Sequence, residues 1–342
     1  MIPSATPSEP GRPGWADVDA FLGEVNHALE PHLRHALDRV PDVRNLKDGV
    51  TSQVAGGGKR IRAGLCATAC EMFHGSYRPA LGFAAAVEHL QNFTLIHDDI
   101  ADGDDLRRGA ESAWKRFGLG HGINIGDAFV PLACLAILDG EGSAAVKTRL
   151  LRVVSEFGLQ VAAGQSMDIN LRRDDAPTEA AYVECTRRKT GAFFAMAVVG
   201  GGMIGGAPEG GLRALGDFAS TAGVAFQIKD DVLDAVGGKG RRVGSDVAEG
   251  KRTLLVAYAL ERASADDRAR LLRILNRPRG RTEPADVDWV LETFRRTRAV
   301  ERAERVAESL MDEALGGLLA LPEVPAKYRF LRLSKYLTQR IR

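Results

Sequence analysis

The stretch PALGFAAAVEHLQNFTLIHDDIAD, residues 79–102, is apolar around most of a helical circumference and ends in Asp98, Asp99 and Asp102. A second stretch, EGGLRALGDFASTAGVAFQIKDDVLDAV, residues 209–236, repeats the pattern and closes on Asp230, Asp231 and Asp234. Residues 178–205 form a third segment of the same character. Helices with so little polar surface belong in the centre of a protein. From Trp15 onward apolar residues recur at helical spacing, and no run of alternating β-branched residues between hairpin turns interrupts them. The reading is an all-α fold, a single large helical bundle over residues 15–342. Helices are expected at 16–39, 59–74, 79–102, 120–139, 143–171, 178–205, 209–236, 249–263, 265–276, 285–320 and 325–341. Residues 1–14, rich in Pro, Ser and Gly, are expected to form a disordered tail.

Local chemistry supports these limits. Pro177-Thr178-Glu179 opens a helix, Pro208 opens the one that carries the second triplet, and Gly103 and Gly237-Gly238 close two others. Gly200–Gly202 and Gly205-Gly206 lie late in a helix, where they serve either close helix contact or fraying.

Within each triplet the first and last aspartates stand four apart and share a helix face, with the middle one about 100° round the axis. A solvated acidic helix end is the alternative. Against it, both triplets fall in the last helical turn, where the macrodipole disfavours a carboxylate by roughly 0.3–1 kcal/mol. Both also follow strongly apolar sequence, and buried, crowded carboxylates need cations or protons. Magnesium suits the pattern, because it takes one or two carboxylates together with water and substrate phosphates. An EF-hand is excluded, since counting from Asp98 puts Ile100 at position three and Gly109 at position twelve. Two triplets together suggest a polyphosphate bridged by cations between them.

The remaining composition narrows the class. The 342 residues are 45% hydrophobic, and 46 basic against 45 acidic side chains leave a net charge of +1, which argues against a nucleic-acid binder. Cys66, Cys70, Cys134 and Cys185 lack zinc spacing and read as free thiols. With no signal peptide and no apolar run of spanning length expected, the cytoplasm is the anticipated compartment.

Three basic clusters complement the acids. Gly56-Gly57-Gly58-Lys59-Arg60-Ile61-Arg62 is a glycine-rich turn into a helix, with Lys59 and Arg62 expected on one face. It is not a P-loop, because Arg60 follows Lys59 and no strand precedes. Arg107-Arg108 follows the first triplet, and Arg187-Arg188-Lys189-Thr190 marks the polar end of another core helix. This charge pattern implies two phosphorylated substrates, only one of them held chiefly through metal.

GGGKRIR (56–62), LIHDDIADGDDLRRG (95–109), GQSMD (164–168), KTGAFF (189–194), FQIKDDVLD (226–234) and GSDVAEGKRT (244–253), in this order and spacing, resemble the trans-isoprenyl diphosphate synthases, or polyprenyl synthetases. The likeness is greatest to short-chain geranylgeranyl diphosphate synthases. The resemblance implies three Mg2+ ions gripping an allylic diphosphate through Asp98, Asp99, Asp102, Asp230, Asp231 and Asp234. It places Arg107, Lys189, Arg241 and Lys251 on that diphosphate, and Lys59, Arg62, Gln91 and Arg108 on isopentenyl diphosphate. Thr190 and Gln227 match polar residues beside the reacting carbons. A homodimer is also implied. Three positions depart from the family pattern: Ala63 for proline, Arg241 for lysine and Trp114 for histidine.

The implied reaction is ionisation of the allylic carbon–oxygen bond, attack by the isopentenyl double bond and proton loss to the released diphosphate. His97 is expected to pack or to orient a carboxylate. Phe93, five residues before Asp98, lies on the side from which a growing chain descends, and in resembling enzymes an aromatic there beside a small residue such as Thr94 goes with a C20 product. Farnesyl or longer products, a terpene cyclase on the same fold and a non-catalytic subunit of a heteromeric synthase are the alternatives. Cyclases could lose the isopentenyl site and such subunits are expected to lack one triplet, whereas both features are present here.

Overall fold

A computed structural model of the chain describes residues 15–237, 243–278 and 280–339. The expected tail over 1–14 and Arg241 lie outside these residues. The helices, in chain order, are α1 (Ala16–Leu37), α2 (Leu46–Ala55), α3 (Ile61–His74), α4 (Leu81–Asp102), α5 (Ala113–Phe117), α6 (Leu119–Asp139), α7 (Ala144–Leu171), α8 (Glu179–Thr186) and α9 (Ala192–Ile204). There follow α10 (Glu209–Val236), α11 (Ser245–Ala248), α12 (Leu254–Arg262), α13 (Ala265–Leu275), α14 (Pro284–Arg296), α15 (Ala299–Gly317) and α16 (Pro325–Gln339). The fold is all-α apart from one ribbon, in which β1 (Leu106–Arg107) pairs antiparallel with β2 (Ala110–Glu111).

The three apolar segments are central, as their composition demands. α4 packs on α6, α3 and α1; α9 packs on α3, α10 and α7; α10 packs in turn on α15. The late glycines of α9 are sites of close contact. A Cβ on Gly201 would stand 2.2 Å from the Cys66 carbonyl oxygen of α3, and one on Gly205 would stand 2.6 Å from that of Cys70. Small residues let the two backbones touch, and both cysteines are buried in that seam.

Helix ends follow the caps. Thr178 accepts from the Ala181 N–H at 3.1 Å, and Ser143 and Ser264 cap α7 and α13 in the same way. Gly103 closes α4 in the left-handed conformation at φ 60.

The structure corrects several expectations. The helix expected at 59–74 begins at Ile61, because Arg60 adopts φ 46 and turns the chain. The segment 178–205 is broken by a π-helical turn at Arg187–Gly191. The segment 285–320 splits at Arg298, whose φ of 54 folds α15 back on α14. The helix expected at 249–263 starts at Leu254. Neither α2 nor the ribbon was anticipated. α2 has weak apolar patterning and is held by Gly49 lying against Ile125 of α6. Among the described residues one helix, α6, has the length and apolar composition of a membrane span, a property that core helices share, and its most apolar window is 39% buried.

Candidate active site

The ends of α4 and α10 carry the two triplets, and the segments between them are tied to both. From α4, Asp98 lies 3.8 Å from the Lys189 ammonium, which also donates to Asp168 of α7 at 2.9 Å. Asp99 accepts from Arg107 Nε at 2.7 Å and from its Nη2. Asp102 pairs with Arg172 and stands 3.6 Å from Lys251. From α10, Asp231 accepts from the Tyr182 hydroxyl at 2.7 Å and from the Gln227 amide at 2.9 Å. Asp234 accepts from the Ser245 hydroxyl and from the backbone N–H groups of Ser245 and Asp246 at 3.2 and 3.1 Å.

Two chains of contacts join the walls. One runs from Asp98 to Lys189, and through the neighbouring Thr190, whose hydroxyl donates to Gln227 at 3.1 Å, to Asp231. The other runs from Asp102 to Lys251, which lies 3.0 Å from Asp246 and 2.7 Å from Glu249, and on to Asp234. The π turn places Lys189 and Thr190. Gly164 of α7 backs onto the Lys189 backbone, and Gly191 meets Ser220 and Gly223 of α10, at distances a side chain would not permit.

Charge is unbalanced here. Among the described residues Asp98, Asp99, Asp102, Asp168, Asp246 and Glu249 share four cations, Arg107, Arg172, Lys189 and Lys251, while Asp231 and Asp234 are held by uncharged donors. Burial accordingly pushes Asp98 up, Asp99 up to about 6 and Glu249 up to about 7, despite the nearby Lys189, Arg107 and Lys251. Burial and the Asp246 charge hold Asp231 well above the usual carboxylate range and raise Asp234. Asp102 is the exception: burial would raise it, but Lys251 and Arg172 outweigh that and keep it low. Crowded, buried oxygen donors of this kind fit a hard divalent metal. Among the described residues no three acidic, imidazole or thiolate groups converge into a ready-made cage. That suits an ion which shares its shell with substrate phosphates and water.

The second basic set draws on α3, α4 and the ribbon turn. The Arg62 guanidinium stacks 5.0 and 4.5 Å from the ring centroids of Phe193 and Phe194, and burial, opposed by Glu88 and Asp230, lowers it to about 10. Its Nε and the Gln91 Oε1 are buried without a partner among the described residues. Arg108 donates to the Gly57 carbonyl, which draws the glycine-rich turn to the ribbon. Arg108 and Gly109 have φ 54 and 81, the two positive values of a two-residue hairpin turn. Arg107, on the strand, is thereby sent to Asp99 while Arg108 goes to the glycines.

Lys59 reaches its contacts from outside the helix. It precedes α3, so the shared helix face expected with Arg62 does not exist, and its ammonium meets Asp19 at 3.2 Å and Tyr336. Phe93 and His97 stack at 4.6 Å, and the His97 Nε2 lies 3.2 Å from Asp127 of α6. Thr94 turns its hydroxyl to the Gln91 carbonyl at 3.0 Å. Trp114 donates to the Asp104 carbonyl at 2.9 Å and packs on Gly122, closing the loop after the first triplet.

Sequence reasoning missed Glu88, Asp168, Arg172, Tyr182, Ser245, Asp246 and Glu249. Asp168, Ser245, Asp246 and Glu249 stand within GQSMD and GSDVAEGKRT, so the signal was present without a partner to interpret it. Glu88, Arg172 and Tyr182 carry no motif.

A helical bundle that sets an excess of buried carboxylates against clustered arginines and lysines is built to handle phosphate esters with a metal. Residues 43–294 match the polyprenyl synthetase family. The chain belongs to that family and is a prenyltransferase. A short chain isoprenyl diphosphate synthase from Methanothermobacter thermautotrophicus is 37% identical over 290 residues, 84% of this chain and 88% of that one. An octaprenyl diphosphate synthase from Escherichia coli is 30% identical over 294 residues, covering 84% and 88% of the two chains. The crystal structure of a geranylgeranyl pyrophosphate synthetase from Pyrococcus horikoshii superposes with a TM-score of 0.85 at 29% identity, covering 94% of this chain and 99% of that one.

Proposed function

We propose that the enzyme condenses isopentenyl diphosphate with an allylic diphosphate to give geranylgeranyl diphosphate, releasing diphosphate. The observation that carries this reading is the continuous chain of contacts from Asp98 through Lys189, Thr190 and Gln227 to Asp231. It holds two acidic walls and a cation around one space. Asp98, Asp99, Asp102, Asp230, Asp231 and Asp234 would hold Mg2+, in three ions on the family pattern, and bound Mg2+ supplies Lewis-acid stabilisation of the departing diphosphate. Lys189, Arg107 and Lys251 add fixed positive charge to that leaving group, and Asp168 orients Lys189. Thr190 and Gln227 present polar atoms where positive charge develops on carbon. Arg62, Gln91 and Arg108 face the diphosphate of isopentenyl diphosphate. The Arg62 Nε and Gln91 Oε1 without partners are the polar atoms such a ligand would satisfy. The surrounding apolar helices keep water from the cation, and the proton lost from the condensed product goes to the released diphosphate.

The Phe93–His97 stack below Asp98 supports a C20 limit over the longer chain that the octaprenyl relative makes. On α6, the exposed Leu119, Ile123, Val130 and Leu138 form one apolar stripe, which supports a homodimer through this face. Four free thiols, those of Cys66 and Cys70 pushed up by burial, suit a reducing cytoplasm. The test is incubation with labelled isopentenyl diphosphate, Mg2+ and dimethylallyl, geranyl or farnesyl diphosphate, followed by chain-length analysis. A labelled C20 product is expected, and no incorporation from any donor refutes the reading.

A further inference from the structure

A cleft of about 540 Å³ opens on the far side of the π turn from the aspartates, between α7, α9 and α10. None of the thirteen residues assigned above to the two diphosphates or to the triplets and present among the described residues lines it. Its floor is apolar, formed by Phe157, Ala195, Val199, Met203 and Leu212, and its rim carries Arg149, Arg187, Arg188 and Arg213. The size falls in the range of small-molecule sites, which combine apolar walls with a few placed polar groups.

The rim charges are not all spoken for. Arg188 donates to Glu184 at 2.7 Å and to Gln160 at 2.6 Å, and Arg149 pairs with Glu209 at 3.3 Å. The side chains of Arg187, half-buried at the mouth, and Arg213, exposed on α10, have no hydrogen bond or ion pair among the described residues, although Asp217 also stands on the rim. Two guanidinium groups are therefore available above a floor of aliphatic and aromatic carbon. Bidentate donors of this kind select phosphate oxygens.

We propose that this cleft is a second, non-catalytic site that binds a single prenyl chain ending in a phosphate or diphosphate, with the chain on the Phe157–Val199–Met203 floor and the head between Arg187 and Arg213. The reaction of the family yields such an amphiphile. The inference goes beyond the catalytic reading, because it concerns the opposite face of the turn that presents Lys189 and Thr190. Arg187 and Arg188 point into the cleft from the same five residues whose Lys189 reaches Asp168. Ser220, which meets Gly191, also belongs to the cleft wall. A ligand here thus lies directly behind the catalytic turn.

The test is equilibrium dialysis of a radiolabelled C20 prenyl monophosphate against the full chain, with saturating Mg2+ and inorganic diphosphate occupying the active site. One equivalent per chain is expected to remain bound. Arg213→Glu and Val199→Trp should each weaken it at least tenfold, while steady-state turnover, measured separately, stays within twofold of the parent enzyme. The C20 alcohol and inorganic phosphate, each lacking one half of the ligand, should compete at least tenfold less well than the monophosphate. Loss of all binding under diphosphate, equal binding by both variants, or equal competition by the alcohol overturns the proposal. Because turnover is read independently, failure here is distinguishable from failure of the catalytic reading.

Discussion

Replacing His89 with leucine should stabilise the protein, and by an amount that depends on pH. His89 lies on α4 with no exposed surface, its ring tilted against Phe129 at 5.8 Å, and neither ring nitrogen has a hydrogen-bond partner among the described residues. Leaving such groups unsatisfied costs roughly 1–3 kcal/mol, so His89→Leu should gain about that much at neutral pH. Burial, with the Arg60 charge second, lowers the imidazole to about 4. An unfolded histidine binds its proton near pH 6.5, so the neutral folded form contributes full stability above that value. The contribution falls as the pH drops toward 4, because only the unfolded chain takes up the proton. Between pH 7 and pH 5 the parent should lose about 2 kcal/mol from this residue alone, and about 3 kcal/mol by pH 4. The leucine variant loses none of it. Urea unfolding of both proteins at pH 7 and pH 5, at equal concentration, measures the difference. Asp99 and Glu249 also titrate in this window, but they are common to both proteins and cancel. Parallel losses of stability in parent and variant would refute the reasoning.

Four further outcomes are expected. Phe93→Ala should remove the aromatic stacked on His97 and shift products beyond C20 on chain-length analysis; an unchanged distribution removes Phe93 from the length argument. Asp231→Asn keeps the shape that meets Tyr182 and Gln227 but discards a buried charge, so its melting temperature should equal or exceed the parent's while turnover drops about 10²–10³-fold. Gly201→Ala drives a methyl toward the Cys66 carbonyl and should cost roughly 1–3 kcal/mol in denaturant unfolding. Ile123→Glu together with Val130→Glu should shift sedimentation to that of a single chain, and a species of unchanged mass would rule out the α6 face as the dimer contact.

The parts legible in the sequence were those in which one helix supplies both pattern and chemistry. Residues 79–102 announce a buried helix and an acidic end in a single run, and α4 ends at Asp102 as read. What escaped was information shared between distant segments. Arg60 and Arg298 adopt left-handed backbone that neither residue type favours, so nothing local marks the breaks at 60 and 298. The ribbon is too short to show alternation, and its turn uses arginine where asparagine or glycine would have been the signal. Lys59 illustrates the error that follows: a spacing of three means a common face only inside a helix, and α3 starts two residues later. Tyr182, Arg172 and Glu88 matter through partners 49, 70 and 26 positions away, at Asp231, Asp102 and Arg62.

The π turn at Arg187–Gly191 also acts as a phase setter for the chain. One extra residue in a helix rotates everything after it by about 100°. Ahead of the turn, Tyr182 must point at Asp231; beyond it, Phe193 and Phe194 must flank Arg62, and Gly201 must face Cys66. A regular helix that kept every residue from Glu179 to Ile204 would rotate the second half away from its contacts, and the wide π turn takes up the extra residue so that both halves hold theirs. The number of residues between Thr186 and Ala192 therefore carries information of its own, separate from their identities. Deleting one residue in this interval should straighten the turn into regular helix, leaving α9 in phase while displacing Lys189 and Thr190, so turnover should fall with little loss of stability.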